Sequence, residues 1–115
     1  MVFPAVFSIV VGAGMIGQWV LFYVSRQIPE LETEPIRIWF HIAAEMVTAA
    51  LLIFGGVGML LKQGWGVQVH IVSVGMLFYT AIVSPGYFAQ KGQWRWLVMF
   101  AILIVLGVTS ILLVV

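Results

Sequence analysis

The chain contains no cysteine, which excludes disulfides, iron–sulfur clusters, thiolate zinc sites and covalent c-type haem attachment. Charge is nearly missing too. Five Lys/Arg and four Asp/Glu occur in 115 residues, and a net charge of +1 offers nothing to nucleic acid or another polyanion. Charged residues make up 8% of the chain, where a soluble domain carries about a quarter. What fills the sequence instead is apolar: 63% hydrophobic residues and a mean hydropathy of +1.18. Such a composition predicts an all-α integral membrane protein whose first partner is the lipid bilayer. The opening apolar run has no basic n-region and no small-residue cleavage site, so it reads as a retained span and not a signal peptide.

A crossing helix needs about 20 apolar residues. Four segments qualify, at about 3–24, 36–61, 67–84 and 97–115, which predicts one transmembrane domain: a four-transmembrane-helix bundle with short loops. "SRQIPELETEP" ends the first span as an acidic loop between two prolines, "KQGWG" is a Lys/Gly turn, and "SPGY" is expected to end the third helix at Pro85. Arg26, Arg37, Lys91 and Arg95 lie in the first and third loops, against only Lys62, besides the N-terminal amine, on the other side. The positive-inside rule then puts both termini on the non-cytoplasmic side. Trp19, Trp39, Trp65, Trp94, Trp96, Tyr23 and Tyr87 fall mostly near span ends, as an interfacial belt.

Helical periodicity sorts the polar residues onto faces. Ser8, Gly12, Met15, Gln18, Phe22 and Ser25 share one side of the first span. His41, Glu45, Thr48, Leu52, Gly56 and Met59 do so in the second, and His70, Ser73, Leu77, Thr80, Ser84 and Tyr87 in the third. The fourth is almost wholly apolar and is expected to face lipid or to form oligomers. Three polar stripes should therefore turn toward one another, because polar groups find no partners in lipid. At a rise of roughly 1.5 Å per residue, His41 lies ~7 Å and Glu45 ~13 Å inside the cytoplasmic end, Gln18 ~10 Å, and Tyr79 and Thr80 ~6–8 Å. These five residues form the candidate binding or proton site. His70 lies about 20 Å away by the same counting, near the opposite surface, where water, a headgroup or a nearby carbonyl is expected to satisfy it.

Residues four apart share a helix face, so His41 can reach Glu45. A carboxylate at depth costs roughly 2.5–3.5 kcal/mol on insertion scales, while interhelical polar contacts return on average only ~0.6 kcal/mol. Adhesion alone is a poor reason to keep one. Supported by a His41 cation and by Gln18 and Thr80 donors, the pair is expected to exchange a proton near neutral pH. A divalent metal needs a third ligand, and haem b a second axial histidine, so either is expected only across an oligomer. "GAGMIG" sits within a span and has no preceding strand, which makes it a helix-packing stretch and not a dinucleotide fingerprint.

Four short spans, this chain length and one embedded glutamate resemble the small multidrug-resistance transporters in size and style. That family carries its essential glutamate in the first helix, and the first span here has none. The reading of the residues is a small homo-oligomeric carrier or channel that moves a proton-linked solute or ion through the Glu45–His41 pair. Two alternatives stand beside it. One is an accessory subunit of a larger membrane complex; the other is a haem- or metal-binding protein completed by oligomerisation. Enzymatic chemistry is not expected, since no nucleophile–base arrangement is evident.

Overall fold

The computed structural model describes residues 2–26 and 28–115, and the side chains of all of these except Glu30 and Tyr87. The place of Tyr87 on a polar stripe and in the aromatic belt therefore lies outside the described residues. Five helices follow in order: α1 (Val2–Val24), α2 (Glu30–Thr33), α3 (Pro35–Leu60), α4 (Gly66–Gln90) and α5 (Trp94–Val114). The described residues contain no strand. Four of the helices are long and apolar enough to cross a membrane, so this is an all-α, multi-pass membrane bundle. The 26 residues of α3 span about 39 Å at the standard rise, in keeping with a molecule 44 Å long.

Short connections force neighbouring helices to run antiparallel. Around the bundle the order is α1, α3, α4, α5, and the contact that closes the ring, α5 on α1, is the thinnest. The start of α1 and the end of α5 lie at one end; the α1–α3 and α4–α5 connections lie at the other.

The α1–α3 seam has an internal symmetry that its spacing explains. Ala5 and Gly12 are seven residues apart on α1, as are Ala49 and Gly56 on α3. A Cβ placed on Gly12 would stand 2.7 Å from the carbonyl oxygen of Ala49, and one on Gly56 would stand 2.7 Å from that of Ala5. Each glycine thus receives the backbone of the opposite helix. Small residues let transmembrane backbones approach this closely, and packing then replaces the hydrophobic drive that lipid removes.

Turn chemistry closes the helix ends. After α3, Lys62 takes a left-handed φ of 58°, Lys62 N–H bonds Met59 O at 3.1 Å, and Gln63 N–H bonds Gly58 O at 2.9 Å. Gly92 repeats the pattern after α4, with bonds from Gly92 to Ala89 and from Gln93 to Phe88. Both are Schellman ends, which satisfy carbonyls left over by the last turn.

Two expectations need correction. Helix α4 does not stop at Ser84 but runs through Pro85 to Gln90. Proline forfeits one backbone bond, and packed membrane helices tolerate that because neighbouring groups satisfy the freed carbonyl. The acidic loop also contains one helical turn, α2, and Ile28 just before it is buried.

Candidate functional site

Glu45 is carried on the inward face of α3, one turn beyond His41. Its Oε1 accepts a hydrogen bond from the Thr80 hydroxyl of α4. The same oxygen lies 3.5 Å from His41 Nε2. Its Oε2 accepts the indole N–H of Trp19, on α1, at 3.3 Å. Because Thr80 has given its one proton to Glu45, the Ser84 hydroxyl, 3.0 Å away, must donate to Thr80. A directed chain Ser84, Thr80, Glu45 results. The Trp19 and His41 rings meet edge to face at 5.7 Å, so the indole braces the imidazole as well as the carboxylate.

Three helices are therefore tied to one carboxyl group. Its side chain is 10% exposed, whereas that of His41 is 40% exposed. Two openings reach it. Toward the bundle interior lies a wide cleft of about 1010 Å³, whose lining runs from Glu45, Trp19 and Leu77 down to Arg37, Lys91 and Arg95 near the loops. Toward the outside, α3 and α4 leave a groove of about 200 Å³ lined by His41, Ala44, Glu45, Thr48, Met76, Tyr79, Thr80 and Val83. Glu45, His41, Thr80 and Val83 face both. The carboxyl group stands in the partition between them.

Of the five residues singled out by depth and periodicity, Glu45, His41 and Thr80 come together. Gln18 lines the wide cleft, and among the described residues the place foreseen for it against Glu45 belongs to Trp19. Tyr79 is 73% exposed and points to the outer groove, so it is not an interior neighbour of the pair. Trp19, expected in the interfacial belt, also donates its indole N–H to the carboxylate. One signal could have found it: it shares the depth of Gln18, and an indole N–H can only donate.

His70 departs furthest from expectation. It is completely buried, not hydrated at the surface. Its Nδ1 lies 2.6 Å from Ser8 Oγ on α1 and its Nε2 3.1 Å from Ser110 Oγ on α5. Ser110 spends its hydroxyl proton on Gly107 O at 2.8 Å, so it must accept from Nε2–H. Ser8 then donates to Nδ1. One tautomer satisfies every atom, with a single proton on the ring. Ser8, His70 and Ser110 are each four to six residues from the terminal end of their helices, and that shared depth was the overlooked signal. Both ring nitrogens are occupied, which leaves none for an axial haem bond. Among the described residues no group of three or more His, Asp or Glu is arranged to hold a metal.

Between the two polar layers lies a plug of Leu52, Val74 and Leu77, each at most 2% exposed, with Ala49 and Met15. Among the described residues this plug separates the His70 layer from the wide cleft, which opens at the loop end.

Fold and site together define a class: a four-helix membrane bundle that holds one carboxyl group between an interior cleft and an outer groove. The chain belongs to the family described as Domain of unknown function (DUF8058), whose model matches residues 2–115. No curated protein and no solved structure matches it.

Proposed function

We propose that this protein is a small membrane carrier or channel, working as a homo-oligomer, in which Glu45 takes up and releases a proton or a small cation linked to the movement of a solute or ion. The observation that carries the reading is the position of Glu45 between two openings, wrapped by an indole N–H, a threonine hydroxyl and an imidazole. A carboxyl group that served only to hold helices would need no opening beside it, whereas Glu45, though only 10% exposed, lines two. This one has a cleft on one side and a groove on the other.

The rim residues Arg37, Lys91 and Arg95 orient the cleft toward the cytoplasm by the positive-inside rule, with both termini on the far side. His41 supplies a second proton-binding group next to the carboxylate, and loading one changes the charge felt by the other. The Leu52–Val74–Leu77 plug is the barrier that a transport cycle must open. The cleft of one copy ends at this plug and four helices leave little room for a pathway across the whole membrane, which motivates an oligomer as the working unit.

Infrared titration of the protein in lipid tests this without knowledge of the solute. The carboxyl stretch of a site shielded from water should titrate with pH, and that band should vanish in Glu45→Gln. Vesicles holding the parent chain should take up protons or a coupled cation, and vesicles holding Glu45→Gln should not. A titrating band and flux that both survive in Glu45→Gln would end the proposal.

A further inference from the structure

Lipid is an adequate neighbour for most of the bundle surface. The outward side of α5 presents Val98, Ile102, Val105, Leu112 and Leu113, all exposed and all apolar. Hydrocarbon satisfies such a surface fully. The outward side of α1 likewise shows Val10, Val20 and Leu21, together with Gly14 and Gly17.

The α3–α4 side is different. Tyr79 stands close to the midpoint of α4, is 73% exposed, and carries a hydroxyl that needs partners hydrocarbon cannot provide. Beside it the groove opens onto His41, whose ring is partly uncovered, and onto Glu45 at its back. The Thr48 hydroxyl is already spent on Ala44 O at 2.8 Å. Polar side chains at depth almost always face protein or water and not lipid. This face therefore asks for cover of a particular kind, with a ring to fill the groove and polar atoms to meet its back wall.

A second copy of the chain supplies both. We infer that two copies associate through their α3–α4 faces, each inserting Tyr79 into the groove of the other so that its hydroxyl reaches the Glu45–His41 pair there. Symmetry supplies the register. A twofold axis along the membrane normal keeps every residue at its own depth, and Tyr79 directly precedes Thr80, which bonds Glu45. The protruding ring and the receiving pair are thus level. Close approach is also permitted: Gly75 lies one turn from Tyr79 on the exposed side, and a Cβ added there would meet nothing within 4 Å. On the α3 side the groove wall includes the small, exposed Ala44. The site then has a residue from each copy, and occupancy in one groove is felt in the other through Tyr79.

The inference rests on the carrier reading only in treating Glu45 as a working site, and its test does not depend on transport. A photoreactive benzophenone amino acid in place of Tyr79 keeps the ring and reports what surrounds it. In native membranes, illumination should give a product of twice the monomer mass, with the cross-link in the peptide containing Ala43–Thr48 of the second copy. The same group in place of Ile102 on α5 should label lipid. Tyr79→Phe keeps the ring but removes two symmetric hydroxyl contacts; at the average strength of interhelical polar pairs this weakens the dimer roughly eightfold. Labelling of lipid alone, of the same chain alone or of a different protein from position 79 would overturn the inference, as would a dimer joined through Ile102. A Tyr79→Phe dimer as tight as the parent would remove the hydroxyl contact. Infrared titration of Glu45 can succeed or fail separately from all of these.

Discussion

Adding one methyl group to neighbouring glycines of α1 should change stability in opposite directions. In Gly12→Ala the new Cβ would lie 2.7 Å from Ala49 O and 2.7 Å from Ile53 Cγ1, where ordinary contact is 3.4–4 Å. Ile53 can turn away, but Ala49 O belongs to the backbone of α3 and cannot. The helices must separate by several tenths of an ångström along the largest seam in the bundle, an overpacking penalty of about 1–3 kcal/mol. Gly14→Ala and Gly17→Ala place the same methyl in open space. There only helix propensity acts, and it favours alanine by up to about 1 kcal/mol. The substitutions are alike in chemistry and helix, the propensity gain is common to all three, and the difference between them should be the overpacking penalty, about 1–3 kcal/mol. Reversible unfolding in lipid bicelles, by steric trapping or denaturant titration, measures it. Gly56→Ala should match Gly12→Ala, since it meets Ala5 O at the same 2.7 Å. If Gly12→Ala and Gly17→Ala shift stability in the same direction, the close α1–α3 seam is wrong.

Other outcomes follow from the same geometry. Ser8→Ala leaves His70 Nδ1 buried without a donor and should lower stability by about 1–3 kcal/mol, while Ser25→Ala at the exposed end of α1 should be near neutral in the same unfolding assay. Lys62→Gly relieves a left-handed φ of 58° and should stabilise by up to about 1 kcal/mol, read as a raised unfolding midpoint. Trp19→Phe keeps the ring beside His41 but removes the N–H from Glu45 Oε2; the carboxyl infrared band of Glu45 should move, and Trp39→Phe, which does not contact Glu45, should leave it in place. Arg37→Ala should alter stability by less than about 1 kcal/mol, since its 3.0 Å pair with Glu34 is exposed.

Hydropathy and length were enough for the four spans, because each must supply its own run of apolar residues to cross hydrocarbon, and that demand is local. The i, i+4 relation of His41 and Glu45 was equally legible, being a property of one helix. Periodicity also found most of the buried line: Ser8, Gly12 and Met15 on α1, and Glu45, Thr48, Leu52, Gly56 and Met59 on α3. It failed where a residue's partner lies on another helix. Successive residues point about 100° apart, so choosing between Gln18 and Trp19 as the neighbour of Glu45 requires the rotation of α1 against α3. The Gly12 and Gly56 seats set that rotation.

His70 and Pro85 teach the same lesson from two sides. Counting along one helix placed His70 one turn from the surface, where water is the natural partner. Only the packing of α1 and α5 against α4 brings Ser8 and Ser110 to its two nitrogens and removes it from solvent. Local rules stop a helix at Pro85, whereas α4 continues through it to Gln90. Sequence by itself determined that this protein is a membrane bundle of four spans with a carboxylate at depth, because lipid imposes its conditions on each segment separately. Tertiary structure decided which donors wrap that carboxylate, where the apolar plug lies and which openings flank it, because each depends on helix rotation and close approach between segments far apart in the chain.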